Sequence, residues 1–479
     1  MTADVGPRQA RVNGHSQHVP TSLHLPQSSP GEVMIDPVLV EQVRRTVAEQ
    51  LAERLVAFPI ADAAHRRELA RGLIAAELAT RAQHNSADAP PTADVDVATA
   101  QAVMAALFGL GRLQPLIEDA SLENVEVDGH DQVWTSAGEG HDRRVGSVAG
   151  SDAELIAMLQ ALAARPGSAE RTFTSAHPTM HLRLPDGSRL AAVAWVTPRP
   201  HVVIRRHRVR DVDLDDLIDL GTLDPALAAF LRAAVLAGKN TVVTGLQNAG
   251  KTTLIRAMAN EFHPMERFAT IEKEYELHLH DLPERHPRVI AMEAREGSAE
   301  VDAQGRRAGE VSLSALLTDA LRMNLRRIIV GEVRGPEILP MLEAMSTGDG
   351  SLCTLHARSA QHAIDRMVAL LLSAGPHISE AFAYRLLAGS VDLIVHLTLR
   401  DRSLTGGSKH RFVSTVLELN GLGETSRPIT TTVFAKGPDG RAVPTHRPQC
   451  LDDLIDVGFD PGWLDHRAGT WPRPLDGAR

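Results

Sequence analysis

Residues 240–252 read NTVVTGLQNAGKT, and this stretch decides the fold. Its final part, GLQNAGKT at residues 245–252, fits the pattern G-x-x-x-x-G-K-[ST] without departure. A run rich in β-branched residues precedes this loop, and a helical stretch to about residue 260 follows it. That order is typical of a loop whose backbone N–H groups hold phosphate beside a helix N-terminus. The sequence therefore predicts a nucleotide-binding protein.

The residues of this phosphate loop have separate predicted tasks. Its glycines let the backbone turn tightly, while the Lys251 ammonium would reach the β- and γ-phosphates and the Thr252 hydroxyl would bind Mg²⁺. We therefore expect ATP and Mg²⁺ as cofactors. The predicted nucleotide-binding residues are Gly245, Leu246, Gln247, Asn248, Ala249, Gly250, Lys251, Thr252 and Thr253.

Strands and helices alternate along residues 240–400. The predicted strands are NTVVTG, RFATIE, RIIVGEV, LCTLHA and DLIVHLTL. This rhythm predicts an α/β fold with a mostly parallel sheet covered by helices. Glu272, Glu332 and His356 stand at or near strand ends, at the sheet edge where the phosphate loop lies. The alternatives are solvated strand-end acids and a core histidine with its hydrogen bonds satisfied.

The rest of the chain divides into predicted segments of different character. Two hairpins with turns at Asp128-Gly129 and Asp186-Gly187 indicate a small α+β region. The predicted parts are a disordered tail at residues 1–35, a helical extension and linker at 36–94, an α+β N-terminal domain at 95–208, a hinge at 209–222, the α/β core at 223–400, and a C-terminal hairpin, short helix and tail at 401–479.

Composition excludes several classes of protein. The net charge of −10 and the aromatic content of 3% disfavour a nucleic-acid binder, so no direct nucleic-acid contact is expected. Two cysteines cannot form a disulfide framework. The chain carries no uncharged apolar run long enough for a membrane span. We therefore expect a cytoplasmic protein that meets the membrane only through a partner.

A histidine-rich run near residue 280 offers a weaker signal. Glu276, His278, His280 and Asp281 have a loose metal-ligand spacing. The favoured interpretation is that these four side chains alternate between the two faces of one strand.

Four motifs in order, GLQNAGKTT, TIEKEYEL, RIIVGEVRGPE and STGDGSLCTLHA, resemble the secretion ATPases of the type II/type IV superfamily. The resemblance covers roughly residues 95–435 and is greatest to the subgroup that powers Flp-type (tight-adherence) pilus assembly. It implies a RecA-like P-loop ATPase core behind a smaller N-terminal domain. It also implies a homo-oligomer, a ring of six, that acts on a polytopic inner-membrane platform protein at the cytoplasmic face.

The resemblance also implies roles for individual residues. Lys251, Glu272 and Glu332 would be catalytic, with Glu272 polarising water and Glu332 serving Mg²⁺ and catalysis. His356 matches the family's histidine at the end of TLHA and would contact the phosphates. The arginines that would close over the nucleotide and neutralise phosphate charge are Arg183, Arg189, Arg205 and Arg206. A solvated basic strand is the alternative for the last two.

The chain departs from the family pattern in three places. TGDG lacks the first histidine of the usual TGH segment, and Lys273 stands where the acidic box commonly has Asp. Pro340 is expected to kink the helix after Glu332 by removing a backbone hydrogen bond. Two alternatives to a pilus motor stay open: a conjugation-type secretion ATPase, and an ATP-binding scaffold with little turnover, which these departures favour.

Overall fold

The computed structural model describes most of the chain after residue 35. The described residues are 36–57, 63–84, 93–108, 110–119, 121–137, 142–164, 173–184, 187–206, 211–295, 297, 308–402, 407–472 and 475. The predicted tail, part of the predicted linker and Asp186 lie outside them. The chain separates into two compact units, Met1–Arg112 and Leu113–Arg479. The domain boundaries given by the sequence stay predictions.

The first unit is helical where it is described. Its helices are α1 (Pro37–Ala57), α2 (Ala63–His84) and α3 (Ala93–Phe108). Asp36 caps α1 as expected, because its carboxylate accepts a hydrogen bond from the backbone N–H of Val38 at 2.9 Å. Val43 and Val47 of α1 are fully buried in a core shared with α2 and α3. Their four-residue spacing puts them on one face of the helix.

The second unit begins with an antiparallel sheet. Its described elements are α4 (Gln114–Glu118), β1 (Asn124–Asp128), β2 (Gln132–Ser136), β3 (Arg143–Val145), α5 (Asp152–Ala163), β4 (Thr179–Arg183), β5 (Arg189–Val193) and β6 (His201–Arg205). Among the described residues the strand order is β3-β2-β1-β6-β5-β4. Both predicted hairpins are confirmed as β1–β2 and β4–β5.

A second, larger sheet forms the centre of this unit. Its strands are β7 (Thr241–Gly245), β8 (Phe268–Glu272), β9 (Val289–Glu293), β10 (Arg327–Val333), β11 (Leu352–His356), β12 (Leu393–Asp401), β13 (Lys409–Leu422), β14 (Pro428–Lys436) and β15 (Ala442–Pro444). The helices around it are α6 (Leu214–Asp219), α7 (Pro225–Leu236), α8 (Lys251–Ala259), α9 (Leu313–Ala320), α10 (Ile338–Thr347), α11 (Ala360–Ala374), α12 (Glu380–Ser390) and α13 (Leu451–Asp456).

The larger sheet is mostly parallel, as expected. Its described order is β15-β14-β13-β12-β7-β11-β10-β8-β9, with parallel pairing from β12 to β9 and antiparallel pairing from β12 to β15. Val242 and Val243 belong to different hydrophobic cores, because successive side chains of a strand point to opposite faces. Helices α7 and α8 pack in one core, and α9 to α12 pack in the other. Together with the antiparallel sheet, this arrangement is an α/β fold with a RecA-like core and a smaller α+β N-terminal part.

Two expectations about local structure were wrong. Pro340 does not lie in a helix interior, because α10 begins at Ile338 and puts the proline in the first turn. A backbone N–H there has no partner inside the helix, so the proline removes no hydrogen bond. The run around His278 is not a strand either, since Leu279–Asp281 form a short 3₁₀ helix and His278 has a left-handed backbone with φ +52°.

No single helix in the described ranges combines the length and the apolar character needed to cross a membrane. One pair of helical segments, Val95–Leu107 and Gly111–Glu118, meets that test when the two are taken together, by length and composition.

Candidate nucleotide-binding site

The phosphate loop connects the end of β7 to the start of α8. Gly245 is the last residue of β7, and a Cβ atom added to it would lie 2.8 Å from the carbonyl oxygen of Leu397 in β12. Any side chain at this position would push the neighbouring strand away. Gly250 immediately precedes Lys251, the first residue of α8. The predicted strand–loop–helix order is therefore confirmed.

Lys251 is folded back into the loop. Its ammonium donates a hydrogen bond to the carbonyl oxygen of Leu246 at 2.9 Å and lies 3.3 Å from Nδ1 of His356. Burial lowers the pKa of Lys251 to about 8, against the opposing effect of the Glu332 and Glu276 carboxylates. An anionic phosphate beside this ammonium would offset that desolvation cost.

His356 and Glu332 continue a polar chain that begins at Lys251. Nε2 of His356 lies 2.9 Å from a carboxylate oxygen of Glu332, and Arg334 donates to both Glu332 oxygens. Because Nδ1 of His356 faces an ammonium that can only donate, a neutral ring would carry its proton on Nε2. Burial raises the pKa of Glu332, but the hydrogen bonds from His356 and Arg334 outweigh it and hold that pKa at about 2. Glu332 is therefore a carboxylate at neutral pH.

Glu272 lies deeper than its strand-end position suggested. Its side chain is buried, and one carboxylate oxygen accepts hydrogen bonds from the backbone N–H groups of Glu276 and Leu277 at 2.7 and 2.8 Å. The other oxygen has no hydrogen-bond partner among the described residues. Burial raises the pKa of Glu272 to about 7, although the two backbone hydrogen bonds lower it. Gly331 makes room for this carboxyl, since a Cβ there would lie 3.0 Å from Cγ of Glu272.

Glu276 is a site residue to which sequence reasoning assigned no role at the nucleotide. The Thr252 hydroxyl donates to its carboxylate at 3.2 Å, next to the phosphate loop. Its other carboxylate oxygen bonds Arg189. The available signal was the acidic run EKEYE, in which Glu276 follows Glu272 by four positions.

Three of the predicted arginines form one row across the antiparallel sheet. Arg183 on β4 pairs with Arg189 on β5, which pairs with Arg205 on β6. Like charges placed directly opposite each other repel, so the row requires anionic partners. Glu274 supplies one, because its carbonyl oxygen accepts from Arg189 at 2.9 Å and its carboxylate lies 3.1 Å from Nε of that arginine. Arg183 lies over the ring of Tyr275, 5.1 Å from its centre.

Arg205 and Arg206 point to different places. The positive charge of Arg205 contributes to lowering the pKa of Lys251, so it acts electrostatically on the phosphate loop. The Arg206 guanidinium donates to the carbonyl oxygen of Asp119 at 2.6 Å, within the antiparallel-sheet region. The structure thus places Arg205 opposite Arg189, which bonds Glu276 beside the loop, and directs Arg206 to Asp119. The phosphate contacts predicted for the two arginines stay predictions, and the contact of Arg206 with Asp119 favours Arg205 of the two.

His278, His280 and Asp281 do come together. One potential ligand atom from each lies within 4.8 Å of the others. Nδ1 of His278 is 2.9 Å from a carboxylate oxygen of Asp281, a distance that a hydrogen bond explains without an ion.

The fold and the site together define a phosphate-loop protein with a RecA-like core. The family described as "Type II/IV secretion system protein" matches residues 109–425. The chain belongs to this family.

Relatives in sequence are consistent with that assignment. A putative conjugal transfer protein of Mycobacterium tuberculosis is 33% identical over 307 residues, 62% of this chain and 82% of that protein. The type IV secretion system protein PtlH of Bordetella pertussis is 30% identical over 332 residues, 64% of this chain and 93% of that protein. The crystal structure of the VirB11 ATPase from the Brucella suis type IV secretion system, with sulphate, is 25% identical, with a TM-score of 0.33, over 64% of this chain and 95% of that one.

Proposed function

We propose that this protein hydrolyses ATP and drives a secretion or Flp-type pilus assembly machine at the cytoplasmic face of the membrane. The observation that carries the proposal is the convergence around one phosphate loop of Lys251, Thr252, Glu276 and the Glu332–His356 pair. A loop alone binds nucleotide, whereas hydrolysis also needs carboxylates beside the phosphates. The chain has both.

Mg²⁺ fits the donors present at this site. The Thr252 hydroxyl and the carboxylate of Glu276 lie 3.2 Å apart, and Glu332 provides a second carboxylate near Lys251. Such oxygen donors are the ligands that Mg²⁺ takes together with substrate phosphates. When bound, the ion would neutralise charge on the β- and γ-phosphates.

The two predicted catalytic glutamates differ in how they hold a proton. Glu332 is held ionised by His356 and Arg334, so it suits a role that needs a permanent negative charge. Glu272 has a pKa of about 7 and one unpartnered oxygen, so it could accept a proton from an attacking water. This division supports water activation by Glu272 and metal or electrostatic support by Glu332.

The arginine row supplies the first test, with Arg206 as its matched control. Replacing Arg205 by Ala should lower ATP turnover by about 10–100-fold, because a guanidinium beside the phosphates stabilises the charge of the transition state. Replacing Arg206 by Ala should leave turnover nearly unchanged, since this side chain bonds Asp119. Steady-state phosphate release and a thermal melt are measured for both variants. Equal losses in the two variants would contradict the assignment of Arg205.

Ring formation is the second test. The family resemblance implies a homo-oligomer, and we propose a ring of six. In that case ATP should promote assembly, and specific activity should rise with protein concentration. Light scattering and activity are measured across a dilution series. A monomer of constant specific activity would overturn the ring and leave the ATPase proposal standing.

A conjugation-type secretion ATPase is the second candidate function. It is favoured by the relative described as a putative conjugal transfer protein. Partner capture decides between the two: a polytopic platform protein encoded beside prepilins supports the pilus motor, and a DNA-processing complex supports conjugation. ATP binding with negligible turnover in either setting would instead indicate a nucleotide-dependent scaffold.

A further inference from the structure

Strand β13 brings an arginine to the outer side of the phosphate loop. Leu397 of β12 pairs with Gly245, the last residue of β7, and β12 then continues to Asp401. In the antiparallel pairing of β12 with β13, Arg411 lies opposite Leu399, two residues beyond that point. Arg411 is therefore placed where β7 has ended and the phosphate loop begins.

Arg411 contacts the backbone of the loop directly. Its Nε donates a hydrogen bond to the carbonyl oxygen of Asn248 at 2.8 Å. Its Cδ atom lies 3.6 Å from the position that a Cβ at Gly250 would occupy, so the arginine stem covers the glycine. Within the described residues this hydrogen bond is the one polar contact recorded for Arg411, and no carboxylate competes for the guanidinium.

The contacted residue has a left-handed backbone conformation. Asn248 has φ +61°, in a region that residues with a side chain seldom adopt and that asparagine adopts more readily than most. Such a conformation persists when surrounding contacts stabilise it. The hydrogen bond from a charged donor at Asn248 is one such contact, and charged donors give stronger hydrogen bonds than neutral ones.

Holding this carbonyl also orients the next amide. The C=O and N–H groups of a trans peptide point in opposite directions, and the described chain contains no cis peptide. With the Asn248 carbonyl turned toward β13, the N–H of Ala249 points into the loop, where it donates a hydrogen bond to the carbonyl oxygen of Leu246 at 3.3 Å. This hydrogen bond closes the turn that shapes the loop, and in a loop of this kind the inward N–H groups hold a β-phosphate.

We propose that Arg411 is a positioning residue that holds the phosphate loop in its anion-binding shape from the β13 side. The inference rests on the proposed function, in that it takes ATP as the ligand. Arg411 acts through the backbone of Asn248 rather than on the reacting atoms. It therefore contributes to affinity for the β-phosphate and not to the rate of hydrolysis.

The test replaces Arg411 by Met, which keeps the apolar stem and removes the donor. ATP and ADP, which both carry a β-phosphate, should bind about tenfold more weakly, the loss typical of one charge-assisted hydrogen bond. AMP affinity and kcat at saturating ATP should change by less than about twofold. Arg411→Lys, which keeps a cationic donor, should recover part of the loss. Dissociation constants are measured by calorimetry on the full chain.

Lys409→Met is the matched control on the same strand. The Lys409 ammonium lies 3.6 Å from the carboxylate of Asp401 and makes no hydrogen bond to the loop among the described residues, so nucleotide affinity should not change. Unchanged ATP and ADP affinity in Arg411→Met would overturn the inference, and so would a loss of kcat with affinity intact. If the unsubstituted protein itself bound no ATP, the proposed function would fail. ATP binding that is insensitive to Arg411 would refute the positioning role alone.

Discussion

Replacing Lys251 by Ala is expected to weaken ATP binding at least about tenfold and to abolish hydrolysis. The ammonium is the one cation inside the described phosphate loop, and it is already placed between the Leu246 carbonyl and His356. It can move from these partners to the phosphates without breaking a bond to a carboxylate. Calorimetric titration with ATP and a phosphate-release assay measure the two effects.

Lys239 provides the matched control for this substitution. It is also a lysine close to β7, but its ammonium bonds Asp453 at 2.5 Å, away from the phosphate loop. Lys239→Ala should therefore retain ATP binding and turnover. Wild-type nucleotide affinity in Lys251→Ala would show that the phosphate loop is not the binding site.

Replacing Glu332 by Gln should retain ATP binding and lower turnover by about 10²–10³-fold, the loss typical of one electrostatic contact to the transition state. Glutamine preserves the shape of the side chain and removes the charge that His356 and Arg334 maintain. Loss of that charge affects the metal and the transition state more than ground-state nucleotide binding. Dissociation constants and kcat are measured together, with the exposed Glu343→Gln in α10 as the control. Parallel losses of affinity and turnover would contradict a catalytic role.

Glu272→Gln tests the proposed role of Glu272 in activating water. Because burial raises the pKa of Glu272 to about 7, its carboxyl is protonated below that pH and becomes a base above it. Wild-type kcat should therefore rise with pH through about 7 and then level off, and Glu272→Gln should be slow with a flat profile in that range. A Glu272→Gln enzyme with near-wild-type turnover would assign water activation to Glu332.

Much of the site could be predicted from the sequence because its signals are local. The phosphate loop is a contiguous segment, and the positions of Glu332 and His356 near the ends of apolar strands follow from hydrophobic patterning. A parallel sheet then places those ends at one edge. The contact between His356 and Glu332 at 2.9 Å agrees with this expectation.

The two wrong expectations about local structure depended on where a helix or a loop begins. The local sequence pattern specifies such boundaries poorly. Pro340 suggested a kink only on the assumption that α10 started earlier than Ile338. The chain after β8 turns where the Glu272 carboxylate accepts hydrogen bonds from the backbone N–H groups of Glu276 and Leu277, and Leu279–Asp281 then form a 3₁₀ helix. These two hydrogen bonds define a loop rather than a continued strand.

By itself, the sequence determined the phosphate loop, the α/β class and the residues available for catalysis. Tertiary structure decided which of these residues lie close to one another. Arg183, Arg189 and Arg205 align because two antiparallel registers place them opposite one another. Arg205 and Arg206 diverge because β6 ends at Arg205, and Arg206 follows the strand and bonds the carbonyl oxygen of Asp119. The register of distant strands is set by the whole buried sheet, and no local stretch of residues contains that information.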